Sequence, residues 1–210
     1  MELNLNSNVF INNYADNGGA IYFGNEISNI DDMDNPTINM NNNIFKENKA
    51  ERFGGAIYSN LHKLGQAIVN DNQIVYNEAG IFGGGIYSPN VSINETLFDI
   101  AKNEIENNTV ASFIDNYSSK PSYIMLNSNK TISVYVGEYI PLMFSLYDDF
   151  DNIIIDITKY YSFLSLKLVI MENDSIDIDN SYILGNVGSF IKGIYNNIFN
   201  KNKIIFLKKY

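Results

Sequence analysis

Short apolar runs, interrupted every few residues by Asn, Gly or Ser, set the pattern of this chain. Thr37-Ile38-Asn39-Met40 alternates apolar and polar positions as a strand does, and Gln66–Val69 is a second strand candidate. After Tyr87 come Val91-Ser92-Ile93, Leu97-Phe98, Ile105 and Val110-Ala111-Ser112-Phe113. Alternation sends successive side chains to opposite faces, so one set is buried while the other meets water. Asn94–Asn107 is the one stretch read as able to form a short helix. Residues 23–36 form a polar loop closed by Pro36, and residues 59–73 make the next connection.

The pattern also repeats. Gly18-Gly19-Ala20-Ile21-Tyr22, Gly54-Gly55-Ala56-Ile57-Tyr58 and Gly83-Gly84-Gly85-Ile86-Tyr87 are copies of one phrase. Each follows an Asn-x-Ala step, at Asn13, Asn48 and Asn77, and three residues before each Asn stands Phe10, Phe45 or Ile74. A unit of this size signals stacked coils. The units are rich in Gly, Asn, Ile, Phe and Tyr, which disfavours helical repeats and favours strands. The intervals between Tyr22, Tyr58 and Tyr87 are unequal, as in a solenoid whose loops vary while its strands stay in register.

Phe-x-x-Asn followed by Gly-Gly-Ala-Ile resembles the repeat of the chlamydial polymorphic membrane proteins. Phe10–Tyr22 and Phe45–Tyr58 carry it in full. In Ile74–Tyr87, Ile replaces Phe and Gly85 replaces Ala. The coils are also similar to the pectin-lyase-like repeats of large ciliate surface proteins, where a solenoid runs into a β-sandwich. The resemblance implies a right-handed parallel β-helix at a cell surface, used for adhesion or display.

Within such a coil, Phe45 and Ile57 are candidates for the interior stack. The Gly pairs are expected to permit a sharp corner with positive φ and close approach of neighbouring coils. Asn13, Asn48 and Asn77 are candidates for a hydrogen-bonded ladder, Asn being the non-glycine residue most at ease in the left-handed region. If Ile21, Ile57 and Ile86 point inward, Tyr22, Tyr58 and Tyr87 point outward as a vertical row. Such a row serves either as a binding face or as structural stacking.

At Lys120-Pro121 the texture changes. Seven short runs follow: Tyr123–Leu126, Ile132–Val136, Leu142–Leu146, Ile153–Ile157, Leu164–Ile170, Tyr182–Leu184 and Ser189–Ile194. This spacing suggests a β-sandwich. Leu146–Ile153 resembles a hairpin of immunoglobulin-like domains in which Asp-x-x-Gly-Asn joins two strands, with Asp151 in place of the glycine. The tail, Asn196–Tyr210, reads as a last strand or as sequence past a frame break.

The chain of 210 residues has a formal net charge of −10 and no cysteine. The charge argues against nucleic acid and against an anionic membrane face. Lack of Cys excludes thiol catalysis, thiolate zinc sites and iron–sulfur clusters. The N-terminus has neither the basic residues nor the apolar run of a signal peptide, and no stretch has the length of a membrane helix. The opening in mid-repeat suggests a fragment of a longer protein.

Three acidic clusters are candidate sites: Asp31, Asp32 and Asp34; Asp148, Asp149 and Asp151; Asp174, Asp177 and Asp179. Paired carboxylates serve glycoside hydrolysis when held at the right separation. The single histidine, His62, and the single arginine, Arg52, stand outside all three clusters, so solvated turns are the better reading. No calcium-loop motif is present, and a hairpin turn explains Asp148–Asn152 better than a metal. Gly83-Gly84-Gly85 lacks the Lys-Ser/Thr of a phosphate loop. Sequons stand at Asn90, Asn94, Asn107, Asn116, Asn129 and Asn173.

The expectation is therefore an all-β chain: a right-handed parallel β-helix over residues 1–116, then an immunoglobulin-like β-sandwich over 122–210, complete or not. The expected function is a non-enzymatic, adhesin-like segment of a cell-surface protein, with other surface proteins or glycans as partners. Membrane association is expected only through other parts of a longer chain. No catalytic, cofactor or metal residue is assigned. The alternatives are a pectin-lyase-like polysaccharide lyase or glycoside hydrolase, and a scaffold with no ligand of its own.

Overall fold

The computed structural model describes residues 2–24, 37–61, 66–89, 100–127, 131–132, 138–167, 183–184, 187–190, 194–201 and 205–206. These residues are all-β apart from one 3-10 turn at Ile100–Lys102. By contact they divide into two units. The first holds residues 1–121 with 148–152, and the second holds residues 122–147 with 153–210.

The first unit is a stack of parallel coils, the arrangement of a β-solenoid. The first coil contributes β1 (Glu2–Asn6), β2 (Val9–Ile11), β3 (Tyr14–Asn17) and β4 (Ile21–Phe23). The second repeats them as β5 (Thr37–Asn41), β6 (Ile44–Lys46), β7 (Lys49–Phe53) and β8 (Ile57–Ser59). The third has β9 (Gln66–Asn70), β10 (Gln73–Val75), β11 (Glu78–Ala79) and β12 (Ile86–Tyr87). The last has β13 (Glu104–Glu106), β14 (Thr109–Val110), β15 (Phe113–Ile114) and β16 (Tyr117–Ser118). Each strand pairs in parallel with its copies, giving the sheets β1-β5-β9, β2-β6-β10-β13, β3-β7-β11-β14 and β4-β8-β12-β16.

Register converts the repeated sequence into columns. Phe10, Phe45, Ile74 and Ile105 lie above one another, as do Ala15, Ala50, Ala79 and Val110, and Ile21, Ile57, Ile86 and Tyr117. The inward columns are the core: Ile38, Met40, Phe45, Ile57, Ile74 and Ile86 are fully buried. Phe10 and Phe45 stack with ring centroids 4.8 Å apart and planes 2° from parallel. Ile74, the replacement for Phe in the third copy, continues that column as an equally buried aliphatic side chain. The interior places foreseen for Phe45 and Ile57 are thus the observed ones.

Coil length varies in two places. One is the connection leading to the next coil's first strand. The other is a register shift between Ala15 and Asn17, where β7 carries one residue more than β3.

Several strand expectations need correction. Asn94–Asn107 is no helix in its described part: the 3-10 turn ends at Lys102, and Glu104–Glu106 joins the second sheet because its register continues that of Gln73–Val75. Residues 94–99 lie outside the described residues, as do Val91–Ile93 and Leu97-Phe98. Val110–Phe113 is broken by a turn in which Ala111 and Ser112 both take positive φ, folding β15 back antiparallel on β14.

In the second unit, a sheet of order β17-β19-β23-β21 comprises β17 (Pro121–Leu126), β19 (Glu138–Asp148), β21 (Ile183–Leu184) and β23 (Ile194–Lys201). Strand β18 (Thr131–Ile132) pairs with β24 (Ile205–Phe206), and β20 (Ser165–Lys167) with β22 (Val187–Ser189), both antiparallel. Leu142–Leu146 lies within the longer β19, which runs antiparallel to β23 from Glu138↔Lys201 to Ser145↔Ile194. Ile153–Ile157 is not a strand. A single bridge joins Ile153 to Tyr147, and Asp156 then accepts N–H bonds from Tyr160 and Tyr161 at 2.8 Å each, which commits the chain to a turn. Ser189–Ile194 spans the end of β22 and the start of β23 rather than one strand. The tail through Lys201 belongs to a paired strand.

Candidate interaction face

The corners of the coils position everything that faces outward. Each Gly-Gly corner divides the work between its two residues. Gly54 takes φ +66, a left-handed conformation that a Cβ disfavours. Gly55 takes ordinary φ but has no room, since a Cβ there would lie 2.0 Å from the carbonyl oxygen of Gly84 in the next coil. The replacement of Ala by Gly85 also has a cause. A Cβ on Gly85 would lie 2.6 Å from the Asn116 carbonyl oxygen and 2.9 Å from the Asn108 amide carbon.

The Asn ladder is present. Asn13 donates its backbone N–H and its Nδ2 to Oδ1 of Asn48, at 3.0 and 2.8 Å. Asn48 donates likewise to Asn77, and Asn77 to Asn108. The second Nδ2 hydrogen of Asn48 reaches back to the Phe10 carbonyl, and that of Asn77 to the Phe45 carbonyl. A second ladder, not expected from the repeated phrase, runs through Asn8, Asn43, Asn72 and Asn103 with the same bonds. Its signal was available: Asn8, Asn43, Asn72 and Asn103 each stand five residues before the Asn of the first ladder. Asn43, Asn48, Asn72, Asn77 and Asn108 are buried, and the two ladders meet their hydrogen-bonding needs.

The left-handed residue is not the ladder Asn itself, as the sequence suggested, but the residue before it. Asn12, Glu47, Tyr76 and Asn107 take φ of 55–57°, and Ser7, Asn42 and Asp71 do the same ahead of the second ladder. The turn forms one residue early, so the ladder side chain swings inward.

The isoleucines of the repeated phrase point into the core, and the tyrosines form the expected row. Tyr22 and Tyr58 stack with centroids 4.9 Å apart and planes 12° from parallel, and Tyr58 and Tyr87 are 5.9 Å apart and tilted by 30°. Exposure changes along the row: Tyr22 is 57% exposed, Tyr58 is half-buried and Tyr87 is only 4% exposed. Phe53 stacks on Tyr87 at 4.6 Å, so the third tyrosine is a packing residue. The accessible part of the row is Tyr22 with Tyr58. On the neighbouring sheet, also outward, are Tyr14, whose hydroxyl donates to the Glu51 carboxylate, and the ion pair of Lys49 with Glu78 at 3.2 Å. That bond to Glu51 holds the Tyr14 hydroxyl above its ordinary pKa.

Of the acidic clusters, Asp31, Asp32 and Asp34 and Asp174, Asp177 and Asp179 lie outside the described residues, as does His62. Arg52 is exposed, with its guanidinium over the Phe53 ring at 5.6 Å. Asp148 is a turn residue. Its Oδ1 accepts the N–H groups of Phe150 and Asn152, both at 2.9 Å, and its Oδ2 accepts that of Ser119 at 2.9 Å. Asp151 takes φ +62, a left-handed conformation in which glycine is the residue most at ease.

Burial raises the Asp148 carboxyl above the usual range against these three bonds. Nearby Asp115 is pushed up to about 6, first by burial and secondarily by the charge of Asp148, although its Oδ2 accepts from the Gly83 N–H and the Ser118 hydroxyl.

Two of the six sequons are described. Asn107 is exposed, with its amide 3.2 Å from Glu106 Oε1. Asn116 ends the first ladder, its Oδ1 accepting from Asn108 N and Nδ2 at 3.0 and 3.3 Å. The other four, Asn90, Asn94, Asn129 and Asn173, lie outside the described residues.

Fold and corners define a parallel β-solenoid unit built on a Gly-Gly and Asn-ladder repeat. Residues 9–24 and 44–60 match the model of the Chlamydia polymorphic membrane protein repeat, the two segments that carry the full motif. Searches of curated proteins and of solved structures return no match. Among the described residues, no helix is long and apolar enough to cross a membrane.

Proposed function

We propose that this chain is a non-enzymatic segment of a cell-surface protein, whose coils form a right-handed parallel β-helix that displays an adhesive outer face. An immunoglobulin-like sandwich follows it. The partners are other surface proteins or glycans. The observation that carries the reading is the stacked pair Tyr22–Tyr58, turned outward on a repeat that matches the Chlamydia polymorphic membrane protein model. Aromatic side chains lose little conformational freedom on contact and offer flat apolar area with a polar edge, which suits both protein and sugar partners. Asp148, in the one acidic cluster that the structure describes, uses both oxygens on backbone N–H groups, those of Phe150 and Asn152 in its own turn and that of Ser119.

The test is binding of the purified chain to a glycan array and to intact cells. The expected result is binding that falls at least tenfold in a Tyr22→Ala/Tyr58→Ala variant of unchanged melting temperature. Binding untouched by that substitution would contradict the assigned face. Cleavage of polygalacturonate, abolished by Asp31→Asn or Asp32→Asn, would favour an enzyme instead.

A further inference from the structure

A further set of asparagines faces outward, on the sheet β1-β5-β9. Burial alternates along β1 and β5, so Leu3, Leu5, Ile38 and Met40 turn inward while Asn4, Asn6, Asn39 and Asn41 turn out. Register aligns them in ranks across the coils. Asn4 stands over Asn39 and then Ile68, and Asn6 over Asn41 and then Asn70. Asn39 donates Nδ2 to Oδ1 of Asn4 at 2.7 Å, and Asn41 donates likewise to Asn6 at 3.2 Å. These bonds run along the rank and leave part of each amide unspent. Among the described residues, Oδ1 of Asn39, Nδ2 of Asn6 and the side-chain amide of Asn70 make no hydrogen bond. The ranks lie on the flank of the stack, so their outward groups do not depend on what lies above or below the coils.

Charge separates this face from its neighbours. Glu2 is the one charged residue of β1, β5 and β9, in a chain whose net charge is −10. The next two sheets carry Lys46, Glu104 and Glu106, then Lys49, Glu51 and Glu78. A neutral face gives a polyelectrolyte no ionic attraction, and the chain as a whole repels polyanions. A protein partner is also poorly served. Protein interfaces centre on buried aromatic, Met or Arg anchors, and the one large apolar side chain directed outward here is Ile68. What the face offers is amides, each both donor and acceptor, repeated from coil to coil about every 4.8 Å. A sugar hydroxyl likewise both gives and takes a hydrogen bond, and a polysaccharide repeats its hydroxyls along its length.

We infer that the Asn ranks of the first sheet are a binding face for an uncharged polysaccharide, laid across the coils and held by hydroxyl–amide hydrogen bonds. This face is separate from the Tyr22–Tyr58 pair. It rests on the surface-display reading only for where such a polymer is met.

The test is affinity electrophoresis of the purified chain through gels holding soluble mannan, dextran or a neutral β-glucan, with polygalacturonate as the charged control. The expected result is retardation by at least one neutral polymer and none by polygalacturonate. Loss of two amides in Asn4→Ala/Asn39→Ala should weaken that binding about tenfold at unchanged melting temperature. The Tyr22→Ala/Tyr58→Ala variant should keep it. Should the double Asn variant not fold, Asn39→Thr, a strand-favouring change that removes one amide, must still weaken binding. No retardation by any of the three neutral polymers would overturn the proposal, as would binding untouched by the Asn substitutions or equal binding of polygalacturonate. Binding abolished by the Tyr substitutions alone would overturn this face and leave the aromatic one standing.

Discussion

Asn48 gives its backbone N–H and its side-chain Nδ2 to one acceptor, Oδ1 of Asn77 in the next coil, both at 2.9 Å. One side chain thereby fixes both the height and the register of two coils. It also explains how a chain so rich in Asn, normally a turn and surface residue, fills a buried column with it.

The ladder predicts a gradient of cost along one motif. Asn48→Ala leaves the Asn13 backbone N–H and Nδ2 without their acceptor, the Phe10 carbonyl without its Nδ2 donor, and Asn77 Oδ1 with only the backbone N–H of position 48, at a buried step of the ladder. A loss of about 3–5 kcal/mol is expected. Asn13→Ala, on the exposed end of the same ladder, should cost about 1 kcal/mol. Urea unfolding of the two variants measures the difference, and equal costs would contradict the ladder.

Restoring the repeat's own consensus should be harmful in the third copy. Gly85→Ala makes that copy agree with Ala20 and Ala56, yet its Cβ would meet Asn116 and Asn108 within 3 Å. The expected loss is about 1–3 kcal/mol, read by thermal unfolding, with the ladder step from Asn108 to Asn116 the first to weaken.

Positions before the ladder Asn should respond to the opposite kind of change. Glu47 and Tyr76 occupy the left-handed place that Asn12 and Asn107 fill in other coils. Glu47→Asn with Tyr76→Asn should raise stability by roughly 1 kcal/mol, because Asn tolerates that conformation better than either. Urea midpoints of the single and double variants read it.

Asp115 gives stability a dependence on pH. Its folded pKa, about 6, lies above the ordinary carboxylate value, so the folded state binds this proton more tightly than the unfolded state. Its contribution is present at acid pH and is lost as pH rises from about 4 through about 6, by on the order of 2–3 kcal/mol. Asp148, raised by burial, adds in the same direction. Asp115→Asn should flatten part of this slope in unfolding experiments between pH 4 and 7. An unchanged slope would show that the carboxyl is not held as described.

The columns of the coils were legible because the motif supplies both a turn residue and an inward residue at fixed offsets: Phe45 and Ile57 lie where the repeat places them. The ladder through Asn8, Asn43, Asn72 and Asn103 was not, because the surrounding sequence is Asn-rich and no Gly-Gly phrase marks it. Tyr87 was placed on the outer row by alternation alone, which cannot register that Phe53 covers it. In the second unit, apolar runs such as Ile153–Ile157 look like strands, but Asp156 draws two backbone N–H groups into a turn. A short apolar run carries no record of which local hydrogen bonds will compete with a sheet.

The most direct measurement of the surface-display account is antibody labelling of the source cells, intact against permeabilised. The account predicts labelling of intact cells at a level that permeabilisation does not increase. Labelling confined to permeabilised cells would contradict it.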